Sequence, residues 1–313
     1  MKTVATDALD GQRSEDRAGA GLSRAVLYIK LVLTAVFWGG TFVAARVVAL
    51  ESGPYSAAFL RFLVASLFLV AFVVKEHGRI VLPERRHLFL LAMLGLTGVF
   101  AYNVFFFSGL KTIAAGRASL IIAANPVFIA LFSALFFRER LGPLKILGIA
   151  VSVAGAAVVV ARGNPLALFG GNIGVGELYI VGCVASWVAY SLFGKLAIRD
   201  LSPLLAVTYA CIIGAAGLFF PALGEGMFSS LAHYSISAWL GIFYLGYLGS
   251  ALGFVWYYEG IRVVGPSRAG VFINLVPLSS VILAFLILHE TLDASMLIGA
   301  LCVILGVYLT NRS

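Results

Sequence analysis

Charge is what this sequence has least of. Asp, Glu, Lys and Arg make up 12% of its 313 residues, against 61% apolar, whereas water-soluble domains run near a quarter charged. With a mean hydropathy of +1.03, that scarcity excludes an ordinary soluble fold. Cysteine is scarce as well: Cys183, Cys211 and Cys302 all lie in long apolar stretches, where a thiol behaves as a small hydrophobe and no disulfide framework is specified. His77, His87, His233 and His289 all fall in or beside loops. No HExxH or paired-carboxylate arrangement occurs within an apolar window, and no cysteine has a histidine nearby in sequence. These absences leave an intramembrane enzyme without catalytic residues, metal or cofactor. No Asp or Glu sits in the middle of an apolar window either, so a proton antiporter built on a buried carboxylate lacks its group. That gap favours facilitated export down a gradient, or coupling through another site.

What is present is a run of apolar windows, each near the 20 or so residues that a spanning helix needs. They are Leu27–Val48, Ala57–Val74, Leu88–Gly109, Ala114–Phe137 and Lys145–Ala161, then Val175–Ala197, Leu204–Leu223, Ser237–Tyr258, Pro266–Leu288 and Ala294–Thr310. The expected fold is all-α and integral to a membrane, with ten transmembrane helices. Residues 1–26, which mix Arg13, Arg17 and Arg24 with Asp7, Asp10, Glu15 and Asp16, read as a disordered cytoplasmic tail. Lys and Arg in short loops resist translocation. With the amino terminus inside, the outer loops keep only Arg46, Lys111, Arg117 and Arg162. Both termini are therefore expected in the cytoplasm, the chain being integral to the inner membrane of a bacterium. The net charge of +8 then needs no nucleic acid. The expected partners are a small-molecule substrate and the lipid bilayer, and the oligomeric state stays open, a monomer being compatible.

Self-similarity organises the windows. Shifting the chain by 151 places Gly95, Gly98, Gly109, Arg117, Pro126, Glu139, Gly148 and Gly155 on Gly246, Gly249, Gly260, Arg268, Pro277, Glu290, Gly299 and Gly306; shifting by 149 places Trp38 and Pro54 on Trp187 and Pro203. The reading is two five-helix repeats, residues 27–161 and 175–310, joined by a loop at 162–174. Five is odd, so the second repeat must be inverted. The charges agree, since Arg138-Glu139-Arg140 is matched by His289-Glu290-Thr291 and the basic residues vanish where the outside is expected. Secondary transporters recurrently use inverted repeats, with the substrate site near the midplane.

The segment Asn125-Pro126-Val127-Phe128 through Arg138-Glu139-Arg140-Leu141 to Gly148 and Gly155, with its copy from Pro277 through Glu290-Thr291-Leu292 to Gly299 and Gly306, resembles the EamA signature of the drug/metabolite transporter superfamily. Within it, the overall run of the sequence is similar to aromatic amino-acid exporters of the YddG type. The resemblance implies ten helices, cytoplasmic termini, a central cavity and export of small metabolites.

The substrate candidates are aromatic and amide side chains deep in the windows: Trp38 with Thr41, Tyr102 with Asn103 and Phe106, Asn125, Trp187 with Tyr190, Trp256 with Tyr257, and Asn274. Rings suit flat, partly apolar molecules, and amides can fix polar ends; the same residues also serve ordinary helix packing. Pro126 and Pro277 deprive the Ile122 and Ile273 carbonyls of their helical donors, giving either backbone acceptors for a substrate or kinks that only shape packing. Gly95, Gly98, Gly246 and Gly249 are candidate hinges as well as close-approach positions. Arg61, close to the outer start of its window, reads as a structural charge that snorkels, with recognition of a carboxylate as the alternative; Glu139 and Glu290, at window ends, read as structural charges that cap or latch. The expectation is an exporter of aromatic and other apolar amino acids by alternating access. The alternative is a broader exporter of drugs, nucleobases or cationic compounds in the same fold.

Overall fold

In a computed structural model of the chain, which describes residues 2–137, 142–164, 173–264, 272–273 and 275–312, helices account for nearly all of the backbone and no strand occurs among the described residues. Among the described residues, eight helices are long and apolar enough to cross a membrane. We label them α1 (Lys2–Glu51, apolar from Ala25), α2 (Pro54–His77), α3 (Arg85–Leu110), α4 (Ala115–Phe136), α5 (Pro143–Val160), α6 (Val175–Ala197), α7 (Pro203–Gly224) and α8 (Ile236–Gly260). Two shorter apolar helices follow, α9 (Leu275–Leu288) and α10 (Ala294–Leu309). The amino-terminal residues expected as a disordered tail continue α1 as helix from Lys2; Ala, Leu, Arg and Glu there carry little helical penalty. The tenth window runs on as helix to Arg312, while much of the expected 162–174 loop and the start of the ninth window lie outside the described residues.

The helix starts follow from local chemistry. Pro54, Pro143 and Pro203 occupy first turns, where the missing N–H is no loss. At the other end of α2, Gly78 takes φ 71° and its N–H closes on the Val74 carbonyl, a left-handed cap that glycine enters without strain. The outer surface is apolar: Leu67, Phe89, Phe136, Phe220 and Leu301 are each about two-thirds or more exposed. In water such a surface would aggregate; against lipid tails it is the preferred one, and helices satisfy their own backbone polar groups there.

Neighbouring helices pair in a pattern that survives exchanging the first five with the last five. Helix α1 packs on α9 as α6 packs on α4, α3 on α6 as α8 on α1, and α3 on α7 as α8 on α2, while α2–α7, α4–α9 and α5–α10 pair with their own counterparts. Glycines set the closest approaches. A Cβ on Gly155 of α5 would lie 2.6 Å from Cys302 Cβ and 2.9 Å from the Gly299 carbonyl of α10, so these backbones touch directly.

Two departures from α-helix fall at matched places. Gly95–Ala101 in α3 and Tyr244–Leu252 in α8 are π-helical, each holding one of the paired glycine sets. Such segments accommodate an extra residue and leave local carbonyls free for other donors. In α4 the helix stops at Ile122 and resumes at Asn125, with a turn between, because Pro126 cannot donate to Ile122.

Candidate functional site

A cavity of about 510 Å³ lies among the helices, lined by residues from all of them except α5. That volume falls in the usual range for small-molecule sites. Its walls are mainly rings, in two groups, one around Trp38 and one around Trp187. In one, Trp38 of α1 meets Tyr257 and Phe254 of α8 at 5.2 and 5.7 Å between centroids. In the other, Trp187 of α6 meets Tyr190 at 5.1 Å and Tyr102 of α3 at 5.3 Å, and Tyr102 stacks on Phe106 at 5.7 Å. The π segments bring these rings in. A Cβ on Gly98 would collide with the Tyr190 ring, and one on Gly249 with the Thr41 methyl. The freed carbonyls find side-chain donors: Trp38 Nε1 gives to Gly249 (2.9 Å), Asn103 Nδ2 to Gly98 and Val99 (3.2 and 2.9 Å), and the Ser250 hydroxyl to Leu245 (2.9 Å).

Of the substrate candidates, Trp38, Thr41, Tyr102, Asn103, Phe106, Asn125, Trp187, Tyr190 and Tyr257 line this cavity, as do Gly98, Gly249, Pro126 and Pro277. Thr41 uses its hydroxyl on its own helix, at the Trp38 carbonyl (2.6 Å). Trp256 does not line the cavity. One helical position before Tyr257 turns it to another face, where it packs on Phe37 at 5.7 Å. Gly95 and Gly246 stand at helix crossings, against α7 and α2 respectively. Asn274 and Glu139 lie outside the described residues. Asn125 is buried, and its side-chain oxygen has no partner among the described residues. Phe254, Tyr258 and Ser250 belong to the wall although sequence reasoning passed over them; Ser250 adjoins a matched glycine, which was the available signal.

Arg61 is placed differently from the snorkelling expectation. Its guanidinium turns into the bundle, where Nη1 donates to Asn103 Oδ1 (3.0 Å) and Nε to Ser250 Oγ (3.2 Å), with its carbon 5.2 Å from the Phe62 ring centre. It lines the cavity.

The two ends of the bundle are tied unequally. At the end where α1 finishes, Glu225 accepts from the Tyr55 and Ser56 N–H groups (3.2 and 2.8 Å) and the Ser56 hydroxyl (2.8 Å), so that the α7 terminus caps α2. Glu290 accepts from the N–H groups of Ala115 (2.8 Å) and Gly116 (3.0 Å) at the start of α4. Glu51 holds the Ser235 N–H and hydroxyl (2.8 and 2.6 Å). Buried Arg117 donates to the Val159 carbonyl (2.6 Å) and pairs with Asp293. Burial works to raise the Asp293 carboxyl, but the Ser295 hydroxyl, the Met296 N–H and Arg117 together hold it below the ordinary aspartate value. At the opposite end, the ties among the described residues include Lys30 with Glu259 (2.8 Å) and the Tyr209 hydroxyl on the Val81 carbonyl (2.6 Å). The cavity lining reaches Tyr258 and Val307 toward that opposite end and Ser119 and Phe106 toward the Glu51 end, in each case about one to two turns inside the helix termini.

Comparison with known proteins agrees with this architecture. The model of the EamA-like transporter family matches residues 25–161 and 174–312. A probable terminal-alkyne amino-acid exporter of Streptantibioticus cattleyicolor is 34% identical, over 93% of this chain and 94% of its own. The uncharacterized transporter YyaM of Bacillus subtilis is 29% identical over 90% of this chain and 92% of its own. A solved crystal structure with 21% identity covers 90% of this chain and 96% of its own at a TM-score of 0.60, a likeness of fold.

Proposed function

The chain belongs to the EamA-like transporter family, and from that premise we propose that it exports small amphipathic metabolites, aromatic and other apolar amino acids foremost, by alternating access of the central cavity. Ten spans in two inverted five-helix repeats carry the cycle, with both termini on the cytoplasmic side of a bacterial inner membrane. Support for the repeat comes from the exchange-symmetric helix pairing, the π segments at matched positions and the two segments matched by the family model. Support for the side comes from the Lys and Arg of the short loops.

The observation that carries the substrate class is the ring-walled cavity with a single polar cluster. Rings bury flat apolar groups favourably, and a cavity with few, fixed polar groups selects by orientation. The name of the 34% identical relative, an amino-acid exporter, points the same way. The test is counterflow in proteoliposomes loaded with unlabelled phenylalanine and offered labelled leucine, tryptophan, a nucleobase or a cationic dye. Exchange of the amino acids, lowered several-fold or more in Trp38→Ala and Trp187→Ala, is the expected result. Exchange of nucleobase or dye without amino acid overturns the reading in favour of a broader drug or metabolite exporter.

A further inference from the structure

We propose that Arg61 is the carboxylate-binding residue of the central cavity, and that the transported species is therefore a small monocarboxylate, an α-amino acid with an apolar side chain. The inference rests on the exporter reading above and narrows its substrate. A cation inside a spanning helix is costly and needs a reason. Among the described residues no carboxylate pairs with Arg61. Its two partners are neutral and are themselves committed: Asn103 spends its amide hydrogens on the Gly98 and Val99 carbonyls, and Ser250 its hydroxyl hydrogen on Leu245. Their oxygens are thereby aimed at Nη1 and Nε. The guanidinium is pinned without being neutralised, and Nη2 donates to nothing among the described residues.

The repeat sharpens the point. The positions matched to Arg61, Asn103 and Ser250 are Ala210, Phe254 and Val99, all of which line the same cavity and all of which are apolar. A cluster needed only to hold two π segments together would be wanted in both halves. This one breaks the symmetry once, giving the cavity one cationic pole facing rings. A zwitterion with an apolar side chain fits that asymmetry: its carboxylate on the guanidinium, its side chain among the rings. The buried Asn125 oxygen, unpartnered among the described residues, supplies an acceptor for the ammonium group. A cationic compound without a carboxylate meets a like charge.

The test is titration of the purified protein, followed by tryptophan fluorescence, with L-phenylalanine and with L-phenylalaninamide, which keeps ring and amine but lacks the carboxylate. The wild-type protein is expected to bind the acid at least about tenfold more tightly than the amide, as loss of a hydrogen bond between charged groups dictates. In Arg61→Gln that ratio should fall to near one. Asn103→Asp keeps the arginine but gives it an internal carboxylate, and should also bring the ratio close to one, which decides the matter even if Arg61→Gln does not fold. Equal wild-type affinity for acid and amide, or a ratio that survives in folded Arg61→Gln or Asn103→Asp, overturns the proposal and leaves the exporter reading standing. A folded wild-type protein that binds neither phenylalanine nor leucine nor their amides, while a nucleobase quenches its fluorescence, overturns the exporter reading itself.

Discussion

The two ends of the bundle are built from the same helices and held by different chemistry. At the Glu51 end, three carboxylates reach from one half to the other, two of them onto bare helix N-termini, and an Arg–Asp pair adds a fourth tie. At the Lys30 end, the cross-half contacts among the described residues include a partly exposed ion pair and a tyrosine hydroxyl, and no carboxylate there is seen on a helix N-terminus. A carboxylate on a helix N-terminus is strong enough to hold a closed end, because the orphan N–H groups and the macrodipole both favour it, and weak enough to release, because water satisfies the same groups. The difference predicts a conformation held shut at the Glu51 end.

Breaking the tied end should have the largest effect. In Glu225→Ala/Glu290→Ala, two ties each worth about 1–2 kcal/mol are lost, enough to shift a two-state balance more than tenfold. Cys211 lines the cavity and serves as reporter once Cys183 and Cys302 are replaced by serine. It should react with a membrane-impermeant thiol reagent from the Glu51 end in the double variant and resist it in the parent. Unchanged labelling would mean that these contacts do not hold the end shut. Glu290→Ala alone should lower thermal stability in detergent by about 1–2 kcal/mol, a value that denaturation of the single variant measures.

Acidification acts next. Because the folded-state carboxyl of Asp293 lies below its unfolded value, its contribution is complete above the ordinary aspartate range and is lost as pH falls through the depressed value. Wild-type stability should therefore lose a component toward strongly acidic pH that Asp293→Asn lacks, and parallel pH profiles in the two proteins would count against the Arg117 tie. The smallest effect belongs to the Lys30 end. Glu259→Gln removes an ion pair between partly exposed groups, worth at most about 1 kcal/mol, and should leave labelling from the Glu51 end unchanged. If it opened that end instead, the contrast between the ends would be wrong.

Much of this was legible beforehand, for identifiable reasons. Apolar windows locate spanning helices because lipid imposes one length and one polarity on them. Trp38 and Trp187 were found through the repeat, since matched positions share a cavity. Trp256 was misplaced because adjacent residues on a helix face different ways, and composition cannot say which of Trp256 and Tyr257 turns inward. The π segments left only their glycines as a trace. Glu290 stood out as a capping or latching charge at its window end, but the helix ends that Glu225 and Glu290 meet lie 169 to 175 residues away in the chain, a distance over which no local pattern names the partner. Arg61 was noticed as the lone cation of a span, but its direction depends on the tertiary partners Asn103 and Ser250.

The π segment of α3 also fixes a counting rule for the chain. Removing a single residue between Gly95 and Ala101 would let an unbroken α-helix form with the flanking turns kept in phase, because the π segment is where the extra residue is absorbed. The Gly98 and Val99 carbonyls would then take helical N–H donors and release the Asn103 amide, and with it the oxygen that holds Arg61. A deletion that makes this helix more regular is thus one that unfastens the cation of the binding chamber.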